Sequence, residues 1–180
     1  MKYSIIALLL LLSVTVSAQF KSARLQALGL TCAMCSNSIT KSLKTIPFIE
    51  TIEVDLKNTS YDLKFKEGAT VDFDMIRKKV ESAGFSVGAL TVVADVQEVK
   101  VKSDEVVKVG GQLFHFVGVK EQVLNGEQRF QIINKFFVPQ KDAKKYQSLS
   151  KSEIIKTEKA GATGKSLGVD AATRVFNVTI

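Results

Sequence analysis

Hydrophobic and polar residues in the first half of the chain follow two periods in turn, one typical of strands and one typical of helices. Apolar residues recur at helical spacing from Cys35 until Pro47 stops the run, and again from Asp72, a suitable N-cap, to Gly84. Stretches in which hydrophobic and polar residues alternate, as in strands, lie before, between and after these helices. The predicted elements are a strand at 23–31, a helix at 35–46, strands at 49–58 and 61–68, a helix at 72–84 and a strand at 86–95.

This order of strand, helix, strand, strand, helix and strand is that of a split βαβ fold, in which one sheet packs against two helices. A sheet covered by two helices can bury a core within about 75 residues, which is small but sufficient. We therefore predict an α+β domain at residues 19–95.

The pattern changes after residue 95, where strand-like segments dominate. Strands are predicted around Gly110-Gly111, and Asn125-Gly126 has the composition of a tight turn between two strands. Pro139 starts a predicted short helix, residues 159–172 form a predicted flexible loop of small residues, and 173–180 form a last strand. We expect residues 96–180 to be a small β-rich domain with one helix and unknown function.

Residues 1–18 have the pattern of a cleaved secretory signal peptide. Lys2 precedes an apolar run from Ile5 to Leu12, and small residues lead to Ala18 before the expected cut. The run is too short to span a bilayer, and no later segment has the roughly 20 apolar residues that a transmembrane helix needs. We expect the mature protein to have no membrane span and to lie outside the cytoplasm, in a bacterial periplasm.

The net charge of the chain is +7, with 25 basic and 18 acidic residues, and removal of Lys2 with the signal peptide leaves +6. Basic and acidic residues are interleaved, as in "KFKEGATVDFDMIRKKVES", and no long basic block follows the spacing of a phosphate backbone. The charge pattern therefore indicates a solvated, mildly basic surface, and we expect no nucleic-acid partner.

Both cysteines of the chain, Cys32 and Cys35, lie in the loop before the first helix. A disulfide between them would close so short a loop that it would constrain the unfolded chain very little. The N-terminal end of a helix stabilises a thiolate, and two thiolates favour a soft ion such as Cu(I) or Hg(II). Zinc prefers four ligands, which one chain does not supply here, because His115 falls in the other predicted domain.

These residues resemble the heavy-metal-associated family, a ferredoxin-like module found in copper chaperones, copper-transporting ATPases and periplasmic mercury-binding proteins. The family motif Gly-Met-Thr-Cys-x-x-Cys stands here at residues 29–35 with Leu30 in place of methionine, and a Gly-aromatic pair stands at Gly84-Phe85. The resemblance covers the N-terminal half only. It implies that Cys32 and Cys35 bind the metal, that Leu30 packs beneath the loop, and that Phe85 shields the site.

The sequence leads us to predict an exported, non-enzymatic metal-binding protein that carries Cu(I) for sequestration or for transfer to a metal-transporting ATPase or another metal-accepting protein. No histidine near a nucleophile and no carboxylate pair indicates catalysis. We expect His115 to make an ordinary hydrogen bond and Met34 to point out of the loop.

Several alternatives remain open at this point. The cysteine pair is also compatible with a thiol–disulfide redox protein, in which the disulfide forms reversibly. It is compatible with mercury, with zinc shared between two chains, and with an interaction protein whose metal loop has no function. The sequence leaves the resting redox state of the pair and the oligomeric state undetermined.

Overall fold

The computed structural model describes residues 19–30 and 33–180, and a mixed sheet of eight strands dominates it. The predicted signal peptide at 1–18 lies outside the described residues. The elements are, in chain order, β1 (Gln19–Leu28), α1 (Ala33–Leu43), β2 (Ile49–Asp55), β3 (Ser60–Phe65), α2 (Phe73–Ser82), β4 (Ser86–Val101), β5 (Val106–Val109), β6 (Gln112–Phe116), β7 (Gln122–Ile132), α3 (Gln140–Gln147), α4 (Ile154–Thr157), α5 (Thr163–Ser166) and β8 (Val175–Thr179).

The first four strands and two helices confirm the predicted βαββαβ order. Their strands lie in the order β2-β3-β1-β4, and each neighbouring pair is antiparallel. Helix α2 begins where the Asp72 carboxylate accepts a hydrogen bond from the Met75 backbone N–H at 3.0 Å. The apolar stripes of both helices are buried against one face of the sheet. In α1 the stripe comprises Ile39 and Leu43, and in α2 it comprises Phe73, Ile76 and Val80. Ile46, which follows the end of α1, is buried in the same core.

The second half of the chain does not form the β-rich unit in the way that we predicted. Strand β4 runs on to Val101, beyond the predicted boundary at 95/96, and pairs with β7 from Leu90 to Val101. The remaining strands continue the same sheet in the order β7-β8-β6-β5. The pairing of β4 with β7 joins two segments that are distant in the sequence. The alternation of hydrophobic and polar residues within one strand does not reveal which strand it pairs with. Whether 19–95 and 96–180 fold as separate domains remains a prediction.

Strand β8 lies inside this sheet, antiparallel to β7 and parallel to β6. Both of its faces are buried. Phe176 and Val178 belong to the main core, which also contains α1 and α2, whereas Val175 packs with Ile154 of α4 on the opposite face. The strand therefore has helical cover on both sides, as expected for a central position in a sheet.

The predicted hairpin turn at Asn125-Gly126 is wrong. Both residues lie within β7, where the pairing with β4 shifts register between Val96 and Val99. Gly126 has a φ of +73° and Glu98 a φ of +47°. The positive φ that Asn-Gly favours in a turn is here used at a β-bulge, which inserts an extra residue and bends the pair of strands.

The prediction of a single helix in residues 96–180 is also wrong, because the structure has three. Helix α3 starts after Pro139 as predicted. Helices α4 and α5 have four residues each, too few to show a periodicity, and α5 lies within the predicted loop at 159–172. Among the described residues, no helix is long and apolar enough to cross a membrane.

Aromatic side chains join the two halves of the chain in one core. Phe114 of β6 lies 5.7 Å from Phe20 of β1 and 5.5 Å from Phe130 of β7, measured between ring centroids. Phe73 of α2 packs edge-on against Phe176 of β8 at 5.2 Å. Because such rings bury large apolar areas, the C-terminal strands contribute to the stability of the N-terminal half.

A polar link lies beside this cluster. The Arg174 guanidinium donates to both carboxylate oxygens of Asp74 on α2, at 2.9 and 3.2 Å, and also to the carboxylate of Glu158. Burial lowers the pKa of Arg174, and its hydrogen bonds to the two carboxylates outweigh this effect and raise the pKa above its ordinary value. The arginine therefore stays charged and fixes the chain before β8 against α2.

Candidate metal site

The candidate metal site lies at the end of the sheet where β1 stops and α1 begins. Gly29, the first residue after β1, has a φ of +86°, which glycine adopts without strain. Leu30 is partly buried and packs against the main core. Thr31 and Cys32 lie outside the described residues, so the assignment of Cys32 as a ligand stays a prediction.

Cys35 is half-buried and lies in the first turn of α1. Backbone N–H groups at this end of a helix point outward, and the helix dipole favours negative charge there. Lys41 is the charged residue of α1, and the first turn has no acidic side chain. A thiolate at Cys35 therefore meets no carboxylate within its own helix.

A buried hydrogen bond adjoins Cys35. Tyr61 of β3 is fully buried and donates its phenol O–H to the hydroxyl oxygen of Ser36, 3.0 Å away. Burial raises the pKa of Tyr61 above its ordinary value, and the charge of Cys35 raises the pKa further. The hydrogen bond to Ser36 lowers the pKa but does not cancel the increase. The phenol therefore remains a neutral donor at neutral pH.

Phe85 reaches the loop because of the way α2 ends. The Gly84 N–H donates to the carbonyl of Glu81 at 2.9 Å, and the Phe85 N–H donates to that of Val80 at 3.2 Å. Gly84 has a φ of +89°, so this is a Schellman ending, which reverses the chain in a fixed direction. The Phe85 ring comes to 3.8 Å from the position that a Cβ on Gly29 would take.

Two further side chains named in the sequence analysis, the thioether of Met34 and the imidazole of His115, lie as predicted. The Met34 side chain is 78% exposed and points out of the loop region. His115 is fully buried in β6, where its Nδ1 is hydrogen-bonded to the Asn177 side-chain oxygen at 2.7 Å. Its role in an ordinary hydrogen bond is thereby confirmed.

A larger ligand set is not present in the described part of the chain. Residues 19–30 and 33–180 contain no cluster of three or more histidine, cysteine, aspartate or glutamate side chains that could hold a metal ion. Among the described candidate donors Met34, Cys35 and His115, Cys35 is the one that lies beside the loop and is not turned away from it or buried in β6. Soft thiolate sulfur suits Cu(I) better than it suits hard cations, which prefer oxygen.

The sequence analysis missed the Tyr61–Ser36 pair. Tyr61 is placed there only as the first residue of a predicted strand at 61–68. A tyrosine buried at such a position requires a partner for its hydroxyl group, and this requirement was the available signal. The identity of the partner depends on how α1 lies across β3, which the tertiary structure decides.

Comparison with known proteins agrees with this geometry. Residues 24–86 match the model of the heavy-metal-associated domain, a range that includes β1 from Arg24, the cysteine loop, both helices and Gly84-Phe85. This segment is a heavy-metal-associated domain. The resemblance found in the sequence is thus confirmed for the N-terminal half of the chain.

Two of the curated relatives each match about a third of the chain. A copper-transporting ATPase of Helicobacter pylori is 41% identical over 58 residues, which is 32% of this chain and 8% of the ATPase. A probable copper-transporting ATPase of Arabidopsis thaliana, HMA5, is 37% identical over 60 residues, which is 33% of this chain and 6% of that protein. The chain thus spans less than a tenth of the length of these relatives.

Solved structures match over the same part of the chain. Apo-CopP from Helicobacter pylori is 29% identical, with 37% of this chain and 97% of that chain covered, at a TM-score of 0.32. A copper-binding domain from HMA7, a P-type ATPase, is 29% identical, with 36% and 86% covered, at a TM-score of 0.33.

Proposed function

We propose that this protein binds one Cu(I) ion between Cys32 and Cys35 and passes it to a protein partner, without catalysing a reaction. The observation that carries the proposal is the heavy-metal-associated domain at 24–86, in which Cys35 occupies the first turn of α1. The copper-transporting ATPases that share this domain support copper as the ion. Copper is here a cargo that the protein carries.

The chemistry of the site supports binding followed by release. Two thiolates give a low coordination number, which satisfies Cu(I) and leaves room for a thiolate of an acceptor. The half-buried position of Cys35 keeps its side chain accessible from solvent. An acceptor can then take the ion through an intermediate in which both proteins share it. A metal-transporting ATPase or another metal-accepting protein is the proposed partner.

We further propose that residues 1–18 direct the protein out of the cytoplasm, to a bacterial periplasm. Two neighbouring thiols tend to form a disulfide in an oxidising compartment, and a disulfide cannot act as a thiolate pair. After export, either copper binds before oxidation, or a reductant keeps the pair open, or the disulfide is itself the resting state of the pair.

Anaerobic titration of the reduced chain without residues 1–18 tests the binding function. We expect about one Cu(I) to be retained per chain in competition with a chelator of known affinity, because two thiolates complete one two-coordinate site. Parallel titrations with Zn(II) and Hg(II) compare the metals. Zinc is expected to bind more weakly, since the described residues supply no cluster of three or more ligands.

Two outcomes contradict this function. Loss of all copper to a weak chelator would exclude a thiolate site of this kind. Turnover of a thiol substrate, together with a reversible disulfide and no retained copper, would indicate a redox protein instead.

A further inference from the structure

The hydrogen bond between Tyr61 and Ser36 lies at the first turn of α1. The first N–H groups of a helix lack intrahelical acceptors, so the first turn frays more readily than the rest. Ile39 and Leu43 are fully buried and fix the later turns of α1 to the core. In the first turn, Met34 is exposed and Cys35 is half-buried, whereas Ser36 is 5% exposed.

Ser36 fixes the first turn of α1 to the sheet, because its side chain is hydrogen-bonded to Tyr61 of β3. Its hydroxyl oxygen accepts from Tyr61, and its backbone carbonyl accepts from the Thr40 hydroxyl at 3.0 Å. The two contacts act on one residue, one from β3 and one from within α1. They set the orientation of the backbone directly after Cys35.

Tyr61 is itself held rigidly, so that it can hold Ser36 in place. It lies in β3, paired with Leu25 of β1 on one side and with Val54 of β2 on the other. Its side chain has no exposed surface, so the ring has little freedom to move. Its hydroxyl group reaches Ser36 across 25 residues of sequence.

We propose that Tyr61 is a positioning residue for the metal site: through Ser36 it fixes the direction in which Cys35 presents its sulfur atom. This inference rests on the proposed copper-binding function. Without the hydrogen bond, the first turn of α1 has to be ordered when copper binds, and the entropy lost in that step lowers the affinity. The phenol acts through the helix and does not itself contact the ion.

Cu(I) affinity of three variants of the chain without residues 1–18 tests the inference. Tyr61→Phe removes the hydroxyl group alone, Ser36→Ala removes its partner, and a third variant combines both changes. We expect each single variant to bind Cu(I) about two- to tenfold more weakly, the range that one net hydrogen bond covers. The double variant should bind no more weakly than the weaker single variant, because both changes remove the same contact.

The matched control is Tyr146→Phe, which removes a phenol hydroxyl from half-buried Tyr146 of α3, and we expect its copper affinity to equal that of the wild type. All affinities are measured well below the unfolding midpoint of each variant. X-ray absorption at the copper edge supplies a second readout, in which Tyr61→Phe should broaden the spread of copper–sulfur distances.

The outcomes separate this inference from the proposed function. Equal copper affinity and equal spectra for the wild type, Tyr61→Phe and Ser36→Ala would overturn the positioning role and leave copper binding intact. Lower thermal stability with unchanged affinity would overturn it as well, since the pair would then serve the fold alone. A wild-type chain that binds no copper would overturn both.

Discussion

Replacement of Cys35 by serine should weaken Cu(I) binding by more than about a hundredfold, because loss of a residue that merely supports a ligand already costs about 10- to 100-fold in metal affinity. Serine keeps the size of the side chain and replaces a soft thiolate with a hydroxyl group that stays protonated at neutral pH. Cys32→Ser should have an effect of the same size if both residues are ligands. Competition of each reduced variant against a chelator measures the loss.

Met34→Leu is the matched control for the cysteine variants. It removes a sulfur atom from the same loop region, but the Met34 side chain points outward and is 78% exposed. We expect it to bind copper like the wild type. A Cys35→Ser variant that retains copper with wild-type affinity would exclude Cys35 as a ligand, and a large effect of Met34→Leu would make the thioether a third donor.

The second large effect is expected on folding. Phe114→Ala should lower the free energy of unfolding by about 3–5 kcal/mol, the range for removal of a large buried aromatic side chain. Phe114 is fully buried in β6 and contacts rings of β1, β7 and β8. Chemical denaturation, followed by circular dichroism and by tyrosine fluorescence, gives the change in midpoint and slope.

The number of transitions decides whether residues 19–95 and 96–180 are separate domains. Because Phe114 packs against Phe20 of β1, we expect one cooperative transition that shifts as a whole. Two transitions, of which the variant moves only one, would support independent domains. Phe136→Ala is the matched control: Phe136 is 58% exposed, and its loss should change stability by less than about 1 kcal/mol.

The candidate site was predictable as far as it depends on neighbouring residues. The Cys-x-x-Cys spacing, the helix that follows it and the Gly84-Phe85 pair are all local features, and the structure places Cys35 and Phe85 as these features indicate. The contact between Tyr61 and Ser36 was not predictable in this way. Its partners belong to a strand and a helix whose relative position no local pattern specifies.

By itself, the sequence determined the βαββαβ order of the N-terminal half, because each of these elements carries its own hydrophobic period and its own start or stop signal, such as Asp72 and Gly84. Only the tertiary structure decided that β4 continues to Val101 and pairs with β7, and that β8 lies between β7 and β6. The physical reason is that strand pairing joins backbone groups of distant segments. Every backbone carries the same donors and acceptors, so the choice of partner depends on which faces the folded core buries together.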